Sequence, residues 1–243
     1  MRRVAVIIPA RFGASRLPGK PLADIHGKSL LARVVERARG ARGVDVLLVA
    51  TDDERIAQAA RSAGAEVVLT GPAETGTDRV AMAARAMLPR PTMVVNLQGD
   101  EPFIEPAAIE ALVHAMDEGS SEMATMARPL EAGEWERPEV VKVVTDRNGN
   151  ALYFSRAPIP ARREDGPSPL ARAHVGMYAY TPAFLERFAA LEPGRLEREE
   201  RLEQLRALEH GFRIRVVDTT YSGFGVDTEQ DLERARALVA AGR

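Results

Sequence analysis

The stretch Val4-Ala5-Val6-Ile7-Ile8-Pro9-Ala10-Arg11-Phe12-Gly13-Ala14-Ser15-Arg16-Leu17-Pro18-Gly19-Lys20-Pro21-Leu22 decides the fold. Residues 3–8 read as a short apolar strand of the kind covered on both faces, ending at Pro9. A loop rich in Gly, Arg and Pro then runs to Pro21, and helical spacing begins near Ser29. Ser29 can cap a helix in which Leu30, Leu31, Val34 and Val35 form one apolar face, and Gly40 or Gly43 can end it.

Outward from this unit the pattern repeats. Residues 44–50 form a second buried strand, Asp52 or Asp53 caps a helix to about Ala63, and residues 66–69 form a third strand. Thr75 and Thr77 can cap a helix over 78–88, and residues 92–97 form a fourth strand. Four alternations of strand and helix predict an α/β chain with a parallel sheet covered by helices, which binds ligands at the carboxyl ends of its strands.

After a helix over 106–118 the rhythm changes to strands at 123–127, 140–145 and 151–155, the last two joined through Asn148-Gly149 as a hairpin. A polar Gly/Pro loop at 162–169 precedes a strand over 173–180. On it His174, Gly176, Tyr178 and Tyr180 share a face by period two. Helices at 182–191 and 196–210, a strand at 212–217 and a helix from Thr228 complete the chain. One domain is expected, with residues 1–118 and 212–243 as an α/β core and about 119–211 as a region of different rhythm.

Composition narrows the function classes. The 243 residues carry 33 Lys+Arg against 35 Asp+Glu, a formal charge of −2 that offers no general attraction for nucleic acid. No apolar run reaches the 18 or so residues of a membrane span. The absence of cysteine excludes disulfides, Cys-ligated metals and a Cys nucleophile, and with no recognisable leader a cytoplasmic protein is expected. Only Lys20, Lys28 and Lys142 are lysines, so each can mark a place where a compact ammonium is wanted.

Glycines and the cations Arg11, Arg16 and Lys20 after a buried strand supply what a polyphosphate needs: free N–H groups, close approach and positive charge. Ala14 and Pro21 break the Walker pattern, so this is no P-loop. The loop is equally readable as a solvated connection until the fourth strand is considered. There Gly99-Asp100-Glu101 places Asp100 and Glu101 where a divalent cation could sit beside phosphates. In Gly225-Val226-Asp227-Thr228, Asp227 or Thr228 reads as a helix cap, and Asp227 alternatively as a second metal carboxylate.

Together with Ala50-Thr51-Asp52, Gly76-Thr77-Asp78-Arg79, Asn96-Leu97-Gln98-Gly99-Asp100-Glu101-Pro102, Lys142-Val143-Val144, Tyr153-Phe154-Ser155-Arg156, Leu202-Glu203-Gln204-Leu205-Arg206 and Gly225-Val226-Asp227-Thr228, the first loop resembles the 3-deoxy-manno-octulosonate cytidylyltransferases, the CMP-Kdo synthetases of Gram-negative lipopolysaccharide assembly. The resemblance runs from about Val4 to the last helix. It implies a nucleotide-diphospho-sugar transferase fold, a three-layer Rossmann-like mixed sheet with a β-hairpin/strand insertion. It also implies Mg2+, a homodimer, and the conversion of CTP and Kdo to CMP-Kdo and pyrophosphate, with residues 1–118 and 212–243 as the nucleotide-binding core and about 119–211 as the region for sugar binding and dimer formation. By resemblance Ala10, Arg11, Lys20, Gly76, Thr77, Arg79 and Gln98 bind the nucleotide. Asp100 and Asp227 match the metal ligands, and with Arg11 and Lys20 make the catalytic set. Gln98, Arg156, His174, Tyr178, Glu203 and Gln204 match residues around the sugar acid.

The same chemistry on 8-amino-Kdo or a sialic acid is the nearest alternative. A retaining glycosyltransferase or a non-catalytic nucleotide-binding module lies further off. No residue stands out as a general base, and His174 is a candidate. Phe12, Asp78 and Gly194-Arg195 depart from the commoner family pattern, which has Tyr, Glu and a Ser/Thr-Pro pair there.

Overall fold

The structure, a computed structural model, describes residues 2–13, 17–119, 121–161, 163 and 168–242. Arg16 of the first loop and much of the 162–169 loop lie outside the described residues. The chain divides into two compact units, residues 1–113 with 221–243 and residues 114–220.

In the first unit four strands run parallel in the order β6-β1-β4-β5: β1 (Val4–Pro9), β4 (Val46–Thr51), β5 (Glu66–Leu69) and β6 (Met93–Asn96). Val4 to Ile8 are fully buried, as an unbroken apolar run between two neighbours requires. Ile7 lies opposite Leu48 of β4 and Asn96 of β6, so the loops leaving β1 and β6 emerge level with one another. The helices are α1 (Leu30–Arg39), α2 (Glu54–Ser62), α3 (Gly76–Ala86) and α8 (Glu229–Ala240), with α4 (Pro106–Glu118) carrying the chain out of the unit.

The capping alternatives resolve individually. Ser29 accepts from Ala32 N at 3.1 Å, Asp53 caps α2, and Gly40 closes α1. Thr75 alone caps α3, two residues earlier than the 78–88 reading, in a reciprocal box with Asp78. Asp serves there as well as Glu because the box needs only a carboxylate.

Between the first loop and α1 the sequence reading missed a short hairpin, β2 (Asp24–Ile25) and β3 (Lys28–Ser29). Its two-residue turn, His26-Gly27, has positive φ at both positions, the mirror-image turn that fits strand twist. Ile25, Leu30, Phe103, Val226, Leu232 and Ala235 form one core cluster, which brings the late segment before α8 beside the first loop.

The second unit is a mixed sheet in the order β11-β7-β10-β8-β9: β7 (Met123–Pro129), β8 (Lys142–Thr145), β9 (Ala151–Ser155), β10 (Arg172–Tyr180) and β11 (Arg215–Asp218). The Asn-Gly hairpin joins β8 and β9 as read, with Gly149 at φ 78 and Asp146 accepting from the backbone of Asn148 and Asn150. In β10 the register jumps from Val175 to Tyr178 against one step on β7. Two extra residues preserve the parity, so His174 and Tyr178 stay on one face.

Where a single helix over 196–210 was expected there are two, α6 (Arg195–Glu200) and α7 (Leu205–Glu209), after α5 (Pro182–Ala189). Arg201, at φ 53, ends α6 in the left-handed region and turns Leu202 to Gln204 out of helical line. A periodic charge pattern cannot show such a break. Gly194 caps α6 without a side chain of its own, while Glu197 reaches back to its N–H at 3.2 Å.

Candidate functional site

The first unit holds a cavity of about 280 Å³ at the carboxyl ends of β1 and β6. The crossing there is tight. A Cβ on Gly99 would lie 3.1 Å from the Pro9 carbonyl oxygen, tighter than an ordinary contact, so glycine suits the close approach of the two loops. Gly19, at φ 71 and packed on the Phe12 ring, turns the first loop into a short 3-10 helix, Lys20–Leu22, and so delivers Lys20 to the cavity.

Lys20 Nζ donates to Asp100 Oδ2 at 2.7 Å and to Asp227 Oδ1 at 2.9 Å. Burial opposes its charge, but the two carboxylates outweigh this and raise its pKa above the ordinary lysine value. Asp227 is therefore not the cap of α8. Thr228 is, in a reciprocal box with Asp231, and it leaves the Asp227 carboxylate turned to Lys20. Backbone pairing fixes the approach, since Val226 N donates to Asp100 O at 2.9 Å. Two carboxylates close enough to share one ammonium are a donor set for a hard divalent cation that completes its shell with phosphate oxygens and water. Asp100 and Asp227 thus fit a metal.

Glu101 is not an acceptor for the Lys20 ammonium. It accepts from Tyr221 Oη at 2.6 Å. Burial pushes its carboxyl up to about 7; the bond from Tyr221 lowers it, and the charges of Asp100 and Asp227 raise it further. Tyr221, 2% exposed, was not singled out in the sequence, where a lone tyrosine between Thr220 and Ser222 carries no signal.

The cavity is also lined by Ala10, Arg11, Gly76, Arg79 and Gln98. Gly76 opens α3, whose N-terminal N–H groups favour an anion, and Arg11 is exposed at the mouth. Arg79 is a buried strut in the wall: it donates to Thr70 Oγ1 at 2.5 Å and Asp52 Oδ2 at 2.7 Å. Thr77 is not among the lining residues. It is 3% exposed and accepts from Asn96 Nδ2 at 3.5 Å.

The residues matched to the sugar acid, other than Gln98, lie in the second unit. The His174 and Tyr178 rings are 5.6 Å apart on β10. His174 Nε2 is 2.9 Å from Thr125 Oγ1, and burial pulls the imidazole down to about 3. Thr125 Oγ1 also lies 2.9 Å from Met177 O and 3.3 Å from Val175 O, so one hydroxyl ties the ring to the backbone of β10. Burial and the field of Glu203 push the Tyr178 phenol upward, so it remains a proton donor.

Arg156 is held by backbone. Its Nε donates to Glu200 O at 2.8 Å, Nη1 to Pro138 O at 3.0 Å and Nη2 to Arg201 O at 3.4 Å. Glu200, at the end of α6, accepts from Ser155 Oγ at 2.5 Å and Arg156 N at 2.9 Å. Gln204 is 4% exposed, and its Nε2 has no hydrogen-bond partner among the described residues. A buried, unsatisfied donor of this kind marks a place where a ligand oxygen would be welcome.

The cytidylyltransferase family model matches residues 5–214. A 3-deoxy-manno-octulosonate cytidylyltransferase of Anaeromyxobacter sp. (strain K) is 73% identical over the whole of both chains. An 8-amino-3,8-dideoxy-manno-octulosonate cytidylyltransferase of Shewanella woodyi is 46% identical over 98% of each. Among solved structures, a CMP:2-keto-3-deoxy-manno-octonic acid synthetase complexed with CTP superposes with a TM-score of 0.93 at 40% identity, covering 99% of this chain and 100% of its own. With this geometry and these likenesses, the chain belongs to the cytidylyltransferase family, among the 3-deoxy-manno-octulosonate cytidylyltransferases.

Proposed function

We propose that the protein transfers CMP from CTP to the anomeric hydroxyl of Kdo, giving CMP-Kdo and pyrophosphate for lipopolysaccharide assembly. The observation that carries this reading is the convergence of Asp100 and Asp227 on Lys20 inside the cavity, in a chain 73% identical from end to end to a 3-deoxy-manno-octulosonate cytidylyltransferase. The hydroxyl oxygen forms a bond to the α-phosphorus, the bond from that phosphorus to the pyrophosphate oxygen breaks, and the hydroxyl proton is released.

A triphosphate and a sugar carboxylate repel, so the protein's task is charge compensation and alignment. Arg11 and Lys20 face the phosphates, and the N-terminus of α3 adds N–H dipoles. Mg2+ is the cation this reading assigns to Asp100 and Asp227, and when bound it supplies further positive charge to the phosphate oxygens. Arg156, His174, Tyr178, Glu203 and Gln204 take the sugar acid. With its basicity lowered so far, His174 serves as a neutral hydrogen-bonding group and not as the base that removes the hydroxyl proton.

Identity of 73% to the Kdo enzyme against 46% to the 8-amino-Kdo enzyme favours Kdo. The same reading carries the homodimer and the cytoplasmic location expected from the sequence. Among the described residues no helix is long and apolar enough to cross a membrane. Comparing kcat/KM for Kdo, 8-amino-Kdo and a sialic acid, with CTP and Mg2+, tests the substrate; a higher value for either rival acceptor would overturn it.

A further inference from the structure

Lys142 is a charged residue at the start of β8 that the fold buries completely. Its Nζ donates to three backbone carbonyls: Arg156 O at 2.6 Å, Val140 O at 2.7 Å and Arg137 O at 3.0 Å. An ammonium has three hydrogens, so every donor is used and none is left for a ligand. Among the described residues no carboxylate pairs with it within 4.0 Å. Desolvating a charge without a contacting counter-ion is costly, and hydrogen bonds to three carbonyls, with the more distant charges of Glu139 and Glu200, offset that cost.

The three carbonyls join two stretches of chain. Arg137 and Val140 belong to the turn before β8, and Arg156 follows the end of β9. The same turn supplies Pro138 O to the Arg156 guanidinium. Lys142 thus secures Arg156 twice, through its own carbonyl and through the turn on which its side chain rests. From there Arg156 reaches Glu200 O and Arg201 O, the bend that ends α6 and precedes Glu203 and Gln204.

We infer that Lys142 is a positioning residue for the sugar acid, fixing Arg156 and, through it, the turn that presents Glu203 and Gln204. This rests on the function proposed above. The residue type follows from shape: a compact ammonium meets three carbonyls that converge on one nitrogen, whereas a guanidinium spreads its donors over three, as Arg156 does. The chain has 30 arginines and keeps one of its three lysines here.

The test is steady-state kinetics on Lys142→Met and Lys142→Gln beside the wild-type enzyme, with melting temperatures. The expected result is a KM for Kdo raised about tenfold or more in Lys142→Met, with the KM for CTP within about twofold of wild type. Lys142→Gln keeps two donors, so it should show the same split in smaller degree, and it gives the reading if the Met variant fails to fold. A lowered melting temperature with both KM values unchanged would overturn the inference, because a purely structural role reduces the amount of active enzyme without favouring one substrate. An equal rise in both KM values would overturn it too. Wild-type enzyme that turns over another acid but not Kdo would instead fault the substrate reading.

Discussion

Tyr221 closes its phenol on Glu101 at 2.6 Å, one residue from a carboxylate that binds Lys20. The pair joins the β6 loop to the segment that leads into Asp227, in parallel with the backbone bond from Val226 to Asp100. The loops carrying Asp100 and Asp227 are therefore tied at two points, and the Glu101 carboxyl is held in a poorly hydrated place.

The first prediction concerns pH. The carboxyl is raised from 4.5 to about 7 in the folded protein, so between these values the native state binds more protons than the unfolded state. Stability from this group is present below about 4.5 and is lost as pH rises toward and through 7. Glu101→Gln should flatten that part of the stability curve, as read from urea midpoints across the range. An unchanged slope would show that Glu101 ionises normally.

Asp227 and Thr228 are adjacent and perform separate tasks. Asp227→Asn should lower turnover by about a hundredfold or more while leaving the melting temperature nearly unchanged, because the cap of α8 is intact. Thr228→Ala should cost about 1 kcal/mol of stability and retain most of the turnover. Thermal melts and initial rates on the two variants separate these effects, and the reverse pattern would return Asp227 to a capping role.

His174 is predicted to stay neutral through the physiological range. Its ring resonances should not titrate until pH approaches about 3, whereas an unperturbed histidine titrates near 6.5. Since the unfolded state takes the proton first, this group adds stability that is present above 6.5 and lost as pH falls toward 3. A midpoint near 6.5 by NMR would show an open, hydrated ring.

The parallel unit was legible because buried strands and capped helices leave local marks. Val4 to Ile8, Ser29 and the Asn148-Gly149 turn each say what they do within a few residues. The break at Arg201 was not legible, since a left-handed arginine inside a charged helical pattern has no distinguishing neighbour. Asp227 was ambiguous for a similar reason: Asp and Thr are both good caps, and only the fold shows that Thr228 caps and Asp227 turns toward Lys20. Glu200, Thr125 and Tyr221 act through partners far away in sequence, so spacing could not find them. Lys142 stood out by composition, and its three carbonyls needed the packed sheet.

The most direct measurement is phosphorus NMR of the wild-type protein with CTP, Kdo and Mg2+, following the three phosphates in time. Transfer predicts loss of the CTP signals with a phosphodiester of CMP-Kdo and pyrophosphate appearing in equal amounts, and no change when Kdo is omitted. CTP left intact by folded protein, or CTP converted without formation of the phosphodiester, would contradict it.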